Sequence, residues 1–354
     1  MSKSKDSRTS LCRARTTGPR NSFSLAAIAA VVLLAGCGRY SDFTLPAPSG
    51  NPAHVIFEWS SRPTPVLARG AAGSFDAVDT LNPSVVRHGS VYFNLYSGFD
   101  GKTWHTGLAT SPDGSAWTRR GRVLSPDPAA WEGGYIAANG SVLFDRGEFL
   151  YWYQAGDPTR IGLARSEDAL HWRKLPHPVL GAGPRGSWDE RGVADPYVIR
   201  TADYFYLFYL GTDRARRQRL GVARSADGVR WTKLRSNPIL ELGTPGAFDE
   251  NGLGEPAVWA AHGSYWMLYT GRDRQEVRRM GLAQSPDGAN WRRVMNFPPI
   301  SGAEPWDSKV VCDPTAELDG DTLRVWFGGG DTARPDERLN GQIGYGTLHM
   351  TVAP

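Results

Sequence analysis

One phrase is written four times along this chain. It appears as "GLATSPDGSAW" (107–117), "GLARSEDALHW" (162–172), "GVARSADGVRW" (221–231) and "GLAQSPDGANW" (281–291). The first glycines stand 55, 59 and 60 residues apart. A fifth, degenerate copy is "IGYGTLHM" (343–350). Repetition at such a period means one supersecondary unit used again and again, each unable to bury its apolar face alone.

Each copy follows an aromatic run ending in a small residue and Asp: "YFNLYSGFD", "FLYWYQAGD", "YFYLFYLGTD", "SYWMLYTGRD" and "LRVWFGGGD". Further upstream sits an aromatic–acid pair: Phe75-Asp76, Trp131-Glu132, Trp188-Asp189, Phe248-Asp249 and Trp306-Asp307. Between pair and aromatic run lies an opener: "LNPSVV", "AANGSVL", "VADPYVI", "LGEPAVW" or "VCDPTAEL". Short β-runs punctuated by Gly, Pro and Asp argue an all-β fold. Four strands per unit at this period predict a β-propeller of five four-stranded blades. The fifth unit lacks its last strand, and a spare copy lies at the other end, in "EWSSRPTPVL" (58–67). Residues 62–68 are therefore expected to pair with a strand around 343–350, so that an N-terminal strand completes the last blade and leaves no open sheet edge between the ends.

The ends carry other information. Residues 1–36 join a basic stretch to the short apolar run "FSLAAIAAVVLLAG", the pattern of a secretory signal. "LAGC" (34–37) resembles the lipobox of bacterial lipoproteins, which implies cleavage before Cys37 and lipid attachment there. Without the signal the chain has 34 basic and 35 acidic residues, so the overall basicity argues for no nucleic-acid partner. Cys12 leaves with the signal, and Cys312 has no cysteine left to pair with. No Cys/His cluster has zinc-site spacing. Residues 37–54, rich in Pro, Gly and Ser, read as a flexible tether, and 55–354 as one propeller domain. The expected setting is the cell envelope, lipid-anchored, at the outer membrane if the host has one, and the expected state is a monomer.

Strand alternation locates the chemistry. If the first strand of a unit begins at the top, Asn82, Asn139, Asp195, Glu255 and Asp313 all lie at the top of the innermost strands, beside the axis. The "SPDG" turns lie below and need no function. The Asp after each aromatic run (Asp100, Asp157, Asp213, Asp273, Asp331) occurs in all five units and reads mainly as a turn tie. Trp104 and His105, in the unrepeated "GKTWHT", could meet a sugar on the upper face, as could Arg272 at the end of its aromatic run. Three carboxylates converging near an axis raise one another's pKa and do chemistry or hold a cation. Ca²⁺ would suit their oxygens, although no dedicated loop is visible. No other cofactor is expected.

These openers on a five-unit repeat resemble the five-bladed glycosidase superfamily that includes glycoside hydrolase families 32, 43, 62, 68, 117 and 130. The resemblance spans essentially the whole domain. It implies a carbohydrate substrate and three axial carboxylates, which in the arabinanase-like and invertase-like families sit in the first three blades. Here the first two openers are Asn82 and Asn139, and the acids lie in units three to five. "LNPSVV" and "GVADPYVI" are also similar to the mannoside phosphorylases of family 130, but Ala194 and Tyr197 stand where that family has an acid and an Arg. The resulting expectation is a glycosidase-like lipoprotein acting on a poly- or oligosaccharide. Glu255 would be the general acid, Asp195 or Asp313 the base or nucleophile, and Asn82, Asn139, Trp104, His105 and Arg272 the binding residues. The alternative is a non-catalytic glycan-binding or scaffold propeller.

Overall fold

The computed structural model describes residues 40–353 of the chain. Cys37 and the signal segment lie outside them. The described residues are almost entirely strand and turn, with one short 3₁₀ helix at Pro305–Asp307. The strands fall into five antiparallel units. Unit one is Asp79–His88, Val91–Phe99, Trp104–Ser111 and Thr118–Leu124. Unit two is Ala137–Asp145, Glu148–Ala155, Arg160–Ser166 and Arg173–Lys174. Unit three is Gly192–Arg200, Phe205–Thr212, Gln218–Ser225 and Thr232–Leu234. Unit four is Gly252–Ala261, Ser264–Arg272, Arg278–Ser285 and Arg292–Arg293.

Unit five takes Val310–Asp319, Thr322–Gly330 and Gln342–Val352 from one end of the domain and Val55–Ser61 from the other. The N-terminal strand does pair where expected, but its regular part lies earlier than 62–68. Val55 faces Val352 and Ser61 faces Gly346, and Leu67 then adds a single bridge to Ile343. Pro63 and Pro65 explain the shift, because proline supplies no N–H to a ladder. Leu180, Leu240 and Ile300 make the same lone bridge in units two, three and four.

Neighbouring units are tied at one end of their strands. Trp104 N–H donates to Tyr135 O (2.8 Å), Val193 N–H to Thr159 O (3.1 Å), Arg278 N–H to Lys309 O (3.0 Å), and Thr80 N–H to Gly341 O (3.0 Å). Gln218 pairs with Gly252 across units three and four. The fifth unit is thereby joined to the first. The apolar core is built at the junctions: Tyr206, Phe208, Val258 and Met267 between units three and four, and Leu67, Tyr96, Trp326 and Ile343 between five and one. The repeated glycine leaves room for the aromatic side chains of its own unit. A Cβ at Gly107 would sit 2.6 Å from both Phe75 and Tyr96, and one at Gly221 2.5 Å from Trp188.

Residues 40–54 are not the free tether that their composition suggests. Tyr40–Ser41 adds a short parallel strand to Lys233 and Leu234. Phe43 and Leu45 are buried, and the carbonyls of Ser49 and Pro46 accept from Gly263 N–H and the Tyr265 hydroxyl. Two apolar side chains spaced to reach a junction groove outweigh the Pro, Gly and Ser around them, since each buried side chain is worth roughly 1.5–3 kcal/mol.

Candidate active site

The five openers share one backbone device. Asn82, Asn139, Asp195, Glu255 and Asp313 all adopt positive φ, between 45° and 52°. At each, the ladder to the next strand slips: between Leu81 and Ser84, Ala138 and Ser141, Ala194 and Tyr197, Gly254 and Ala257, Cys312 and Thr315. These are β-bulges, which add an unpaired residue and re-aim a side chain. Asn and Asp tolerate the left-handed region, while Glu255 holds it against its preference. The residue after each opener is Pro, or Gly140 in unit two. Proline fits there because a bulge asks for no donor. The repeated acid–Pro phrase is thus the signature of a bulge that points a carboxylate off the ladder.

The neighbouring unit fixes most openers. Ser97 Oγ accepts from Asn139 N–H (2.9 Å), Gln154 Oε1 from Asp195 N–H (3.4 Å), and Thr270 Oγ1 from Asp313 N–H (3.2 Å). Gly328 holds the matching position in unit five, and there the Asp313 carboxylate itself accepts from Asn82 N–H (3.3 Å). Leu210 holds it beside Glu255 and can offer no acceptor.

Asp195, Glu255 and Asp313 line one cavity of about 330 Å³, together with Asn82, Asn139, Trp104, Tyr135 and Arg272. Below the openers the axis narrows to a void of about 30 Å³ bounded by Pro83, Pro196, Pro256, Pro314 and Tyr197. The three acids therefore meet in one cavity, at its narrow end. Asn139 donates its amide N–H to Asp195 Oδ1 (3.3 Å) and accepts from Ser97 (2.9 Å). Asp313 Oδ2 also accepts from the Cys312 thiol (3.1 Å). Two buried carboxylate oxygens, Glu255 Oε2 and Asp313 Oδ1, have no hydrogen-bond partner among the described residues. Burial, then the charges of Glu255 and Asp313, pushes the Asp195 carboxyl well above the ordinary range. Burial, then Glu255, pushes Asp313 up to about 7, against the pull of Arg278, the Cys312 thiol and Asn82 N–H.

Trp104 forms part of the wall, stacked on Phe99 at 4.9 Å. His105 does not reach the cavity. Its ring contacts Ser125 (3.0 Å) and Asp100 (3.3 Å) instead, as alternation along a strand demands of the residue next to an inward Trp104. Asp100, Asp213 and Asp273 accept backbone N–H groups of their own loops, the turn ties expected of them.

Arg278 is the residue that sequence reasoning missed. It is buried, and its guanidinium stands beside Cys312, Glu255 and Asp313. Trp104, Thr159, Gln218 and Arg278 each lie three residues before a repeated glycine, and all four line the cavity. Variation at that fixed offset was the available signal. Donor atoms of Glu255, Cys312 and Asp313 lie within 4.8 Å of one another. This set mixes a thiol with two carboxylates beside a guanidinium, which is poor chemistry for Ca²⁺, a cation that takes six to eight oxygens.

Residues 139–306 match the glycosyl hydrolases family 32 N-terminal domain. An uncharacterized protein of Mycobacterium tuberculosis is 27% identical over 220 residues, 58% of this chain and 72% of that protein. A 1,2-beta-oligomannan phosphorylase of Thermoanaerobacter is 31% identical over 125 residues, 33% of this chain and 41% of that protein. A glycosyl hydrolase from Bacteroides ovatus superposes with a TM-score of 0.64 at 17% identity, over 85% of this chain and 96% of its own. The family match spans 168 of the 354 residues, and the solved structures, all under 25% identical, share the fold; both liken the chain to glycosidase-type enzymes of the propeller kind.

Proposed function

We propose that the five units are the blades of a closed five-bladed propeller, and that its axial pocket hydrolyses a glycosidic bond of a poly- or oligosaccharide. One observation carries this reading: Glu255 Oε2 and Asp313 Oδ1 are buried, unpartnered and aimed at one pocket. Unsatisfied buried polar atoms are rare and call for an explanation. A glycan-binding scaffold offers none, whereas a glycosidase requires two free carboxyl groups flanking the scissile bond.

The roles follow from the hydrogen bonds. Asp313 Oδ2 accepts from Asn82 and Cys312, so a proton on this residue belongs on Oδ1, the free oxygen. With its carboxyl pushed up to about 7, Asp313 retains that proton near neutral pH and donates it to the leaving oxygen. Proton donation thus passes from Glu255, the expected acid, to Asp313. Glu255 becomes the partner carboxylate that meets the anomeric carbon. One oxygen of each lies within 4.8 Å of the other, so the pair can act on one bond, and the anomer first released decides between the covalent and the single-displacement route. Asp195, held by Asn139, anchors a substrate hydroxyl, and Trp104 offers its ring. No cofactor takes part.

Glu255→Gln and Asp313→Asn should each lower turnover by about 10²–10⁴-fold on a panel of glycosides while leaving binding intact. Parent-level turnover in both variants would remove these residues from the mechanism. A second reading, phosphorolysis, is favoured by two guanidinium groups on the cavity, Arg272 and Arg278, and by the likeness to a phosphorylase over part of the chain. Cleavage that depends on added inorganic phosphate would select it. We further propose that Cys37 carries the lipid and holds the enzyme, as a monomer, to the cell envelope. A Cys37→Ser protein that still partitions with membranes would refute the anchor.

A further inference from the structure

The loop joining the second and third strands has four residues in units one and two and five in units three and four. In unit five it has eleven, 331–341. Its root is fixed, because buried Asp79 accepts from the backbone N–H groups of Arg338, Leu339 and Gly341. The rest of the loop leaves its own unit. The Pro335 carbonyl accepts from the guanidinium groups of both Arg272 and Arg278 in unit four. Arg338 donates to Gly101 O of unit one (3.3 Å). On the far side Tyr135, in the approach to unit two, donates its hydroxyl to Glu337 Oε2 (2.8 Å). Pro335 and Asp336 form part of the cavity wall.

We propose that residues 331–341 are a strap across the pocket mouth, latched by Tyr135 and Glu337, that shuts one side of the cavity and controls access to the acids. Tyr135 is 49% exposed, so the latch is no part of the apolar core. Beyond the openers the space narrows to about 30 Å³ between the prolines that follow them. At about 330 Å³ it stands at the low end of the ~300–1,000 Å³ range of small-molecule sites. Resting on the glycosidase reading, the consequence is specificity. A pocket that narrows behind the openers and is strapped on one side takes the end of a glycan chain and not its middle. The strap also sets Arg278, because Pro335 is that side chain's acceptor. Tyr135 and Glu337 are thus positioning residues, acting on the acids through the strap.

The test uses the full-length chain with Tyr135→Phe, Glu337→Ala and Glu337→Gln. Cys312 is buried beside Asp313 and serves as the probe. Its modification by N-ethylmaleimide is followed on the peptide that carries it, and tryptic cleavage after Arg338 is followed in parallel. Losing a hydrogen bond to a charged group should raise both rates about tenfold in Tyr135→Phe and Glu337→Ala. Glu337→Gln keeps an acceptor oxygen and should stay near the parent. Equal rates in all four proteins would overturn the latch. In a second arm the parent is given linear β-1,2-mannan oligosaccharides labelled at the reducing end, and β-2,1-fructan oligosaccharides of defined length whose products are sized. Products cut from one end support the strap's role in specificity, and internal fragments overturn it. If none of a panel of glycosides is cleaved by any of the proteins, the glycosidase reading fails, and the thiol and trypsin rates still decide the strap.

Discussion

Two sets of acids among the described residues are handled in opposite ways. The first set belongs to the aromatic–acid pairs. Asp76 accepts from the Tyr96 hydroxyl and Arg119, and Glu132 from Tyr153 and Lys174. Asp189 accepts from Tyr209 and Lys233, and Asp249 from Tyr269 and Arg293. Each of these acids has a hydroxyl and a cation from its own unit. The second set is the axial one, where Asp195, Glu255 and Asp313 share one pocket and two oxygens are left without a partner. The turn before a unit's first strand satisfies its acid completely, whereas the bulge within that strand leaves its acid free. The first arrangement holds a unit together and the second leaves a carboxyl available for reaction.

The contrast can be broken most sharply at a paired acid. Lys233 and Asp189 are both buried, at 7% and 0% side-chain exposure. Lys233→Met strands a buried charge and should cost about 3–5 kcal/mol in chemical denaturation. A loss below 1 kcal/mol would show that these pairs do not hold the units. Tyr209→Phe removes one hydrogen bond to the same carboxylate and should cost less, about 1.5–3 kcal/mol.

The axial set should respond in the other direction. Asp195 and Asp313 have raised pKa values in the folded protein, so between roughly pH 4 and 7 the folded state binds more protons than the unfolded one. Their contribution to stability is full below the ordinary carboxylate pKa and is lost as pH rises through about 7. Thermal unfolding of the parent should weaken across that window, and Asp313→Asn should flatten the slope without loss of stability at neutral pH. A parent that gains stability over the same window through these residues would contradict the assignment.

Unit five sharpens the comparison at its weak end. Phe327 stands there in place of the tyrosine, and Asp307 accepts the backbone N–H of Glu304 at the 3₁₀ turn (2.9 Å). Asp307→Asn should cost no more than about 1 kcal/mol, the usual worth of one net hydrogen bond. A cost as large as that of Lys233→Met would mean that its role has been misread.

Much of this was legible in the sequence because a repeat reports on itself. The strand order, the inward openers and the partnership of the first strand with the last unit follow from aligning five copies. What escaped were the features that the repeat does not contain. Arg278 has Trp104, Thr159 and Gln218 at the equivalent positions, so no shared letter draws attention to it. Phe43 and Leu45 lie in a segment without a second copy, and composition hid their packing. His105 was grouped with Trp104, and strand alternation sends the two to opposite faces. The partition of protons among the three acids depends on depth and on the neighbours of each oxygen, which spacing does not encode.

The strand from Val55 to Ser61 has its partner between Gly346 and Val352. On the ribosome these segments are made about 300 residues apart, roughly 15–60 s at ordinary elongation rates. Through that interval the nascent chain carries the outer strand of a sheet that does not yet exist. Units two, three and four can form as their residues emerge, whereas unit five and the wall it gives the cavity come last. Completing unit five therefore requires the beginning of the domain to meet its end.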